Sequence, residues 1–105
     1  MAAEAPEIAR APHVQRRHDR MVELQAMTYR REGYAVSAEL PGWPAPSALE
    51  GSVPDIVAER NGHVFVVEVE TEDTLPGKEY AAEHKAFRKW KEQDPKARNY
   101  KMVIA

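Results

Sequence analysis

Three carboxylates are spaced so that a β-hairpin would bring them to one face of a sheet. The stretch SVPDIVAERNGHVFVVEVE, residues 52–70, holds the pair Asn61-Gly62 between two runs of strand-forming residues. Asn-Gly favours a two-residue hairpin turn, because both residues tolerate positive φ. That turn sets Asp55 opposite Glu68, and the period-two alternation of a strand places Glu70 on the same face. Clustered carboxylates suit divalent cations and general-base chemistry, so the spacing predicts an acidic site.

Facing carboxylates repel each other unless something offsets the repulsion. The Cβ atoms of Asp55 and Glu68 would lie roughly 5 Å apart, which is destabilising for like charges. At an effective dielectric constant of about 20, the repulsion is on the order of 3 kcal/mol if both groups are ionised. A bound cation would offset this cost, whereas an exposed edge hairpin with solvated carboxylates would need no metal. Both hairpin faces are largely apolar near the turn, which favours a central, covered hairpin with its carboxylates at the far end.

Composition excludes several classes of site. The chain has 105 residues, enough for one small domain with one core, and a net charge of −2. It has no cysteine, which excludes disulfides, thiolate zinc sites and cysteine nucleophiles. There is no apolar run of membrane-spanning length and no signal peptide, so we expect a cytoplasmic protein without a membrane partner. Charged residues are mainly acidic over residues 50–83 and mainly basic over 84–105. This distribution suits a cation site beside a polyanion, and it is equally typical of solvated helix faces.

The pattern of elements predicts a single α/β domain over residues 13–105, preceded by a loose Ala/Pro-rich tail over residues 1–12. Apolar residues at helical spacing predict one helix near 13–32 and another near 78–93. Strands are predicted at residues 34–40, 54–60, 63–70 and 100–105. The order α-β-β-β-α-β predicts an antiparallel meander joined by one parallel strand in a mixed sheet, with the helices packed on it.

The residues Pro54-Asp55 and Glu68-Val69-Glu70, placed on the second and third strands of this order, resemble the motif of the PD-(D/E)xK nuclease superfamily. The layout over residues 13–105 is similar to archaeal Holliday-junction resolvases and restriction-endonuclease-like domains. The resemblance implies that Asp55 and Glu68, with the backbone carbonyl of Val69, bind Mg²⁺ or Mn²⁺ for hydrolysis of nucleic acid, DNA more than RNA. Glu70 stands where the family usually has lysine. Some restriction enzymes of the superfamily carry glutamate there and are active.

The resemblance also implies roles for residues around the acidic pair. Glu70 would be a second metal ligand or would orient the attacking water. Glu23, on the first helix, would match an acidic helix residue of resolvase-like members, although its position off the apolar stripe is more typical of a solvated side chain. The missing positive charge would come from one of three basic residues on the second helix: Lys78, Lys85 or Arg88.

Candidate contacts to nucleic acid lie outside the hairpin. Trp43, between two prolines, could stack on a base, or it could close the rim of the core. Arg16 and Arg17 could contact phosphates, or they could simply lie on the solvent-exposed face of an amphipathic helix. His84 lies on the apolar stripe of the second helix, which indicates a packing role.

Three functions therefore remain open. The first is a divalent-metal-dependent nuclease, in which a homodimer would let so small a domain reach both strands of a duplex. The second is a catalytically silent domain of the same fold that binds nucleic acid or protein, as the absent lysine would suggest. The third is a small interaction protein whose acidic hairpin is merely solvated.

Overall fold

Over the residues that the structure describes, two helices and four strands follow one another in the predicted order. The computed structural model describes residues 10–73 and 77–105, with the side chain of Glu79 left out. Residues 1–9 of the predicted tail therefore lie outside the described residues. The elements are α1 (Pro12–Arg31), β1 (Ala35–Ala38), β2 (Ile56–Arg60), β3 (His63–Glu70), α2 (Lys78–Glu92) and β4 (Arg98–Ile104). The first helix begins at Pro12, inside the predicted tail, because proline is favourable in the first turn of a helix.

The strands form one mixed sheet in the order β1-β2-β3-β4. The first three are antiparallel neighbours, and β4 runs parallel to β3, which confirms the predicted topology. The hairpin register is also the predicted one, with Arg60 paired to His63 and Val57 to Val66. The turn residues Asn61 and Gly62 have φ of 53° and 79°. These positive values are the ones a tight two-residue turn requires, so the turn fixes the register of the central strands.

Apolar side chains from both helices cover the two faces of the sheet. On one face, Val22 and Ala26 of α1 belong to the same buried cluster as Ile56, Val67 and Val69. On the opposite face, the second helix contributes Phe87 and Trp90, which pack with Val66 of β3 and with Tyr100 of β4. The central strand β3 is therefore covered on both sides, as the two apolar faces of the hairpin predicted.

The second helix presents its predicted apolar stripe to the sheet. Phe87 and Trp90 are buried. One turn earlier, the His84 ring stacks on Tyr80 with a centroid separation of 5.8 Å, and its Nδ1 lies 3.1 Å from the Tyr100 hydroxyl oxygen. His84 therefore packs against aromatic neighbours, as its position on the apolar stripe of the second helix indicated. Over the parts of the chain that the structure describes, neither helix has the length and apolar character needed to cross a bilayer.

Candidate metal centre

Three glutamates from β3 and α2 meet between the sheet and the second helix. Strand alternation puts Glu68 and Glu70 on the same face as Val66, which packs against Phe87. Glu83 lies four residues before Phe87, so it projects from the same side of α2. One carboxylate oxygen from each of Glu68, Glu70 and Glu83 lies within 4.8 Å of the other two. We call these three residues the acidic cluster.

The acidic cluster is largely shielded from water. Glu68 is 4% exposed and Glu70 is 2% exposed, while Glu83 is half-buried. Such burial disagrees with the interpretation of the hairpin as merely solvated. Buried carboxylates need hydrogen-bond donors, protons or cations to compensate for lost hydration. A cation bound at the cluster would add to the compensation that hydrogen bonds already give the buried side-chain oxygens of the described residues.

Burial and mutual repulsion raise two pKa values in the cluster. Burial, followed by the charges of Asp55 and Glu83, raises the pKa of Glu68 well above its ordinary value. Burial also raises the pKa of Glu83 to about 7, with added contributions from the charges of Glu70 and Asp55, against a hydrogen bond with Glu68 that lowers it. A hydrogen bond between two carboxyl groups requires a proton on one of them. Without metal, the cluster therefore retains a proton near neutral pH.

Asp55 lies one residue before β2 and is tied to β3 by two hydrogen bonds, each from a backbone N–H to a side-chain carboxylate. Its own N–H donates to Glu68 Oε1 at 2.6 Å. Its Oδ2 accepts the N–H of Val69 at 2.8 Å. The structure therefore brings Asp55 beside Glu68, as the hairpin predicted, and gives both carboxylates backbone donors that offset part of their repulsion. Among the described side chains, the carboxylates close enough to share one ion are those of Glu68, Glu70 and Glu83, without Asp55.

His18 of α1 supports Asp55 from the other side of the sheet. Its Nε2 lies 3.3 Å from Asp55 Oδ2, and its Nδ1 lies 3.0 Å from Asp19 Oδ1. Burial alone would lower the pKa of His18, but its contacts with Asp55 and Asp19 outweigh burial and raise the pKa above 6.5. A protonated imidazole would therefore donate a charge-assisted hydrogen bond to Asp55.

Sequence reasoning did not identify Glu83 and His18 as site residues. Both had a weak signal, since each is a polar residue at a helical position in line with buried apolar residues. Glu83 precedes Phe87 by one turn, and His18 lies between Val14 and Val22 on the buried stripe of α1. Helical spacing shows that such residues face the sheet, but it does not show which strand residues they meet.

The accessory residues predicted on the helices lie on the surface. Glu23 is exposed on α1, away from the acidic cluster. The basic residues predicted to replace the missing lysine are also exposed: Lys78, Lys85 and Arg88. Arg88 and Lys91 line an open groove of about 440 Å³ together with Tyr100.

Two of the residues predicted to contact nucleic acid, Trp43 and Arg17, have contacts within the chain. Trp43 is half-buried against the α1 side of the core, and the Arg30 guanidinium lies 4.4 Å from the centre of its ring. This arrangement agrees with the alternative in which Trp43 closes the rim of the core. Arg17 is exposed and lies 3.8 Å from Glu72, while Arg16 is exposed on the same helix. Base stacking by Trp43 and phosphate contacts by the arginines stay predictions.

The donor set of the acidic cluster fits a hard divalent cation. Mg²⁺ and Mn²⁺ prefer oxygen ligands, and Mg²⁺ is commonly held by one or two carboxylates with water in the remaining positions. Glu68, Glu70 and Glu83 supply three carboxylates whose oxygens lie close enough together to bind the same ion.

The chain matches no protein-family model, and neither curated proteins nor solved structures give a match to it.

Proposed function

We propose that the acidic cluster binds Mg²⁺ or Mn²⁺ and that the chain is a metal-dependent phosphodiesterase acting on nucleic acid, with DNA as the favoured substrate. The observation that carries the metal site is the approach of three largely buried carboxylates within 4.8 Å. Support for the substrate class comes from the resemblance of Asp55, Glu68 and Glu70 to the nuclease motif. A cytoplasmic location would give such an enzyme access to nucleic acid.

A proton and a metal ion compete for the carboxylates of the acidic cluster. The pKa of Glu83, raised to about 7 mainly by burial, means that metal binding near neutral pH displaces a proton. Metal affinity should therefore rise with pH through this range. A buried group of like charges is costly unless it is compensated, so the metal-bound cluster should be more stable than the metal-free one.

The residues around the cluster hold it in place. The N–H of Asp55 fixes one oxygen of Glu68, while the N–H of Val69 and the ring of His18 fix the Asp55 carboxylate. A divalent ion held there would polarise a phosphate and lower the pKa of an attacking water. Glu70, as a ligand or as the group that accepts a proton from water, takes the position in which the family usually has lysine.

Substrate phosphates would be attracted by the basic outer surface of α2. Arg88 and Lys91 line the groove that includes Tyr100, beside one acidic residue, Glu92. Tyr100 pairs with Val66 in the sheet, so it shares the α2 face with Glu68 and Glu70. Cationic side chains beside a polyanion give salt-dependent binding, because phosphate contacts release counterions.

A nuclease assay tests the proposal. Plasmid, single-stranded DNA, branched DNA and RNA are incubated with the protein and with Mg²⁺, Mn²⁺ or chelator. Glu68→Ala should abolish metal-dependent cleavage, and Glu70→Lys, which introduces the usual family residue, should retain some. Glu23→Ala is the matched control, since it removes an exposed acid away from the cluster. Equal cleavage by wild type and Glu68→Ala would remove the nuclease proposal.

The second candidate is a catalytically silent domain that binds nucleic acid or protein. The observation in its favour is that the cluster consists of three glutamates. It therefore supplies no positive charge at the position where the nuclease superfamily usually has lysine. This candidate predicts metal binding, or nucleic-acid binding, without cleavage. Electrophoretic mobility shifts with the same substrates, run beside the cleavage assay, distinguish the two.

A further inference from the structure

One side of β4 has no partner strand among the described residues. In the described sheet this strand lies at the end of the order β1-β2-β3-β4, next to β3. The parallel ladder includes bonds from the Val64 N–H to the Ala97 carbonyl and from the Ala105 N–H to the Glu70 carbonyl, both at 2.8 Å. Peptide groups alternate direction along a strand, so the N–H and C=O groups of every second residue point away from β3. Beyond Arg98, whose N–H donates to the Asp94 carbonyl, the outward-pointing residues of β4 are Tyr100, Met102 and Ile104.

The same three residues form an apolar row on the α2 face of the sheet. The register with β3 pairs Val66 with Tyr100 and Glu68 with Met102, and paired residues share a face. Tyr100 packs with Phe87, but Met102 is 36% exposed and Ile104 is 48% exposed. Long apolar edge strands are usually protected, because their unpaired peptide groups are ready to pair with another chain.

We propose that β4 pairs with β4 of a second copy of this chain, antiparallel, about a two-fold axis at Met102. An antiparallel pair exchanges hydrogen bonds between outward-pointing residues, so the axis lies either at one of these residues or midway between two of them, at Lys101 or Val103. With the axis at Met102, Tyr100 faces the partner's Ile104 and all three apolar residues are paired. An axis at Tyr100 would instead place Met102 opposite the partner's charged Arg98.

The position of the charged residue Lys101 across the interface favours the same register. The axis at Met102 places Lys101 opposite the partner's Val103, on the α1 face. The Lys101 ammonium lies 5.8 Å from the centre of the Tyr29 ring, which confirms that this side chain is on that face. A register centred on Lys101 would oppose two lysines, which is destabilising, and it would place Ile104 opposite the partner's charged Arg98. A register centred on Val103 would pair Met102 with the partner's Ile104 but leave Tyr100 without a partner within β4. The register centred on Met102 is therefore the one that pairs all three apolar residues.

The dimer joins the two sheets into one continuous sheet. Three hydrogen-bonded pairs, each exchanging two bonds, give about six backbone hydrogen bonds across the interface. Glu68 lies beside Met102, so the two acidic clusters would lie on one face of the joined sheet. Their Glu68 residues would be about 14 Å apart across the axis, three strand spacings of about 4.8 Å.

Sedimentation equilibrium over a range of protein concentrations tests the association, with the full chain in chelator so that the result is independent of metal binding. The wild-type mass should rise from monomer to dimer. Met102→Lys opposes two like charges at the axis and should weaken the dimer about tenfold or more. Leu24→Lys is the matched control, because Leu24 is an apolar residue of α1 that is 59% exposed, and this variant should dimerise as wild type does. Circular dichroism melts check that both variants fold.

The absence of cysteine from the chain permits a test of the register. Lys101 and the partner's Val103 form a non-hydrogen-bonded pair with Cα atoms about 4.5 Å apart, within the range that a disulfide spans. A mixture of Lys101→Cys and Val103→Cys chains should form a disulfide-linked dimer several-fold faster than either variant alone. Equal rates would overturn the register. A monomer at every concentration, or a dimer indifferent to Met102→Lys, would overturn the interface.

Discussion

Replacing Glu83 with glutamine should stabilise the metal-free protein at alkaline pH. Glutamine keeps the shape of the side chain and can still donate a hydrogen bond to Glu68, but it carries no charge at any pH. In the wild type, mainly burial raises the pKa of Glu83 from 4.5 to about 7, so ionising this group costs more in the folded protein than in the unfolded one. The substitution removes that cost.

The size of the effect follows from the two pKa values. A change from 4.5 to about 7 corresponds to about 3.4 kcal/mol, at about 1.36 kcal/mol for each tenfold change in the proton-binding constant. Because Glu83 is partly exposed, we halve this value for solvent screening, to about 1.7 kcal/mol. Glu83→Gln should therefore raise the free energy of unfolding by about 1.7 kcal/mol once the wild-type group is fully ionised, at about pH 8.

The direction of the pH dependence is equally specific. Between pH 4.5 and about 7 the folded wild type binds more protons at Glu83 than the unfolded chain does. The contribution of this group to stability is therefore complete below pH 4.5 and is lost as the pH rises through about 7. The glutamine variant lacks this loss, so the two proteins should have similar stability in acid and should diverge toward alkaline pH.

Urea denaturation in chelator, at about pH 4 and about pH 8, measures the difference. Glu23→Gln is the control, because Glu23 is exposed and lies away from the cluster. Added Mg²⁺ or Mn²⁺ should stabilise the wild type by mass action and should stabilise Glu83→Gln less. If Glu83→Gln lowers stability at alkaline pH in chelator, the cluster is a structural hydrogen-bond network and the reasoning for a metal site fails.

Three further predictions concern the frame around the cluster, each measured as the free energy of unfolding in urea. Asp55→Ala removes the acceptor of the buried Val69 N–H and should cost about 1–3 kcal/mol, whereas Asp55→Asn keeps an acceptor oxygen and should cost less; equal costs would contradict this account. Phe87→Ala opens a cavity between α2 and the sheet, so we expect a loss of about 3–5 kcal/mol. At Gly62, φ is 79° and an added Cβ would meet no neighbour within 4 Å, so Gly62→Ala should cost roughly 1–2 kcal/mol from backbone strain alone. A neutral Gly62→Ala would refute that view of the turn.

Local chemistry in the sequence determined the hairpin and its register. Asn61 and Gly62 adopt positive φ with little strain, and a two-residue turn leaves only one pairing for the flanking strands. Strand alternation then decides that Glu68 and Glu70 share a face. These rules act between neighbouring residues, so no tertiary information was needed to place two members of the acidic cluster.

Helix periodicity determined which residues of α2 face the sheet but not what they meet there. Phe87 and Trp90 are buried as their spacing predicted. The lysines and arginine predicted to approach the site are exposed instead, and the helix brings Glu83 to the cluster. The resemblance to the nuclease motif implied a basic residue there, whereas the packing of Phe87 on Val66 sets the position of α2 and with it the position of Glu83.

Only the tertiary structure decided that His18 meets Asp55 and that Glu83 meets Glu68. Each pair joins a helix to the central hairpin, and the first pair is separated by 37 positions in the chain. A sequence pattern fixes the direction of a side chain around its own helix axis. The position of the helix along the sheet depends instead on how many apolar side chains pack together at once. That is a property of the whole core, and no single segment contains it.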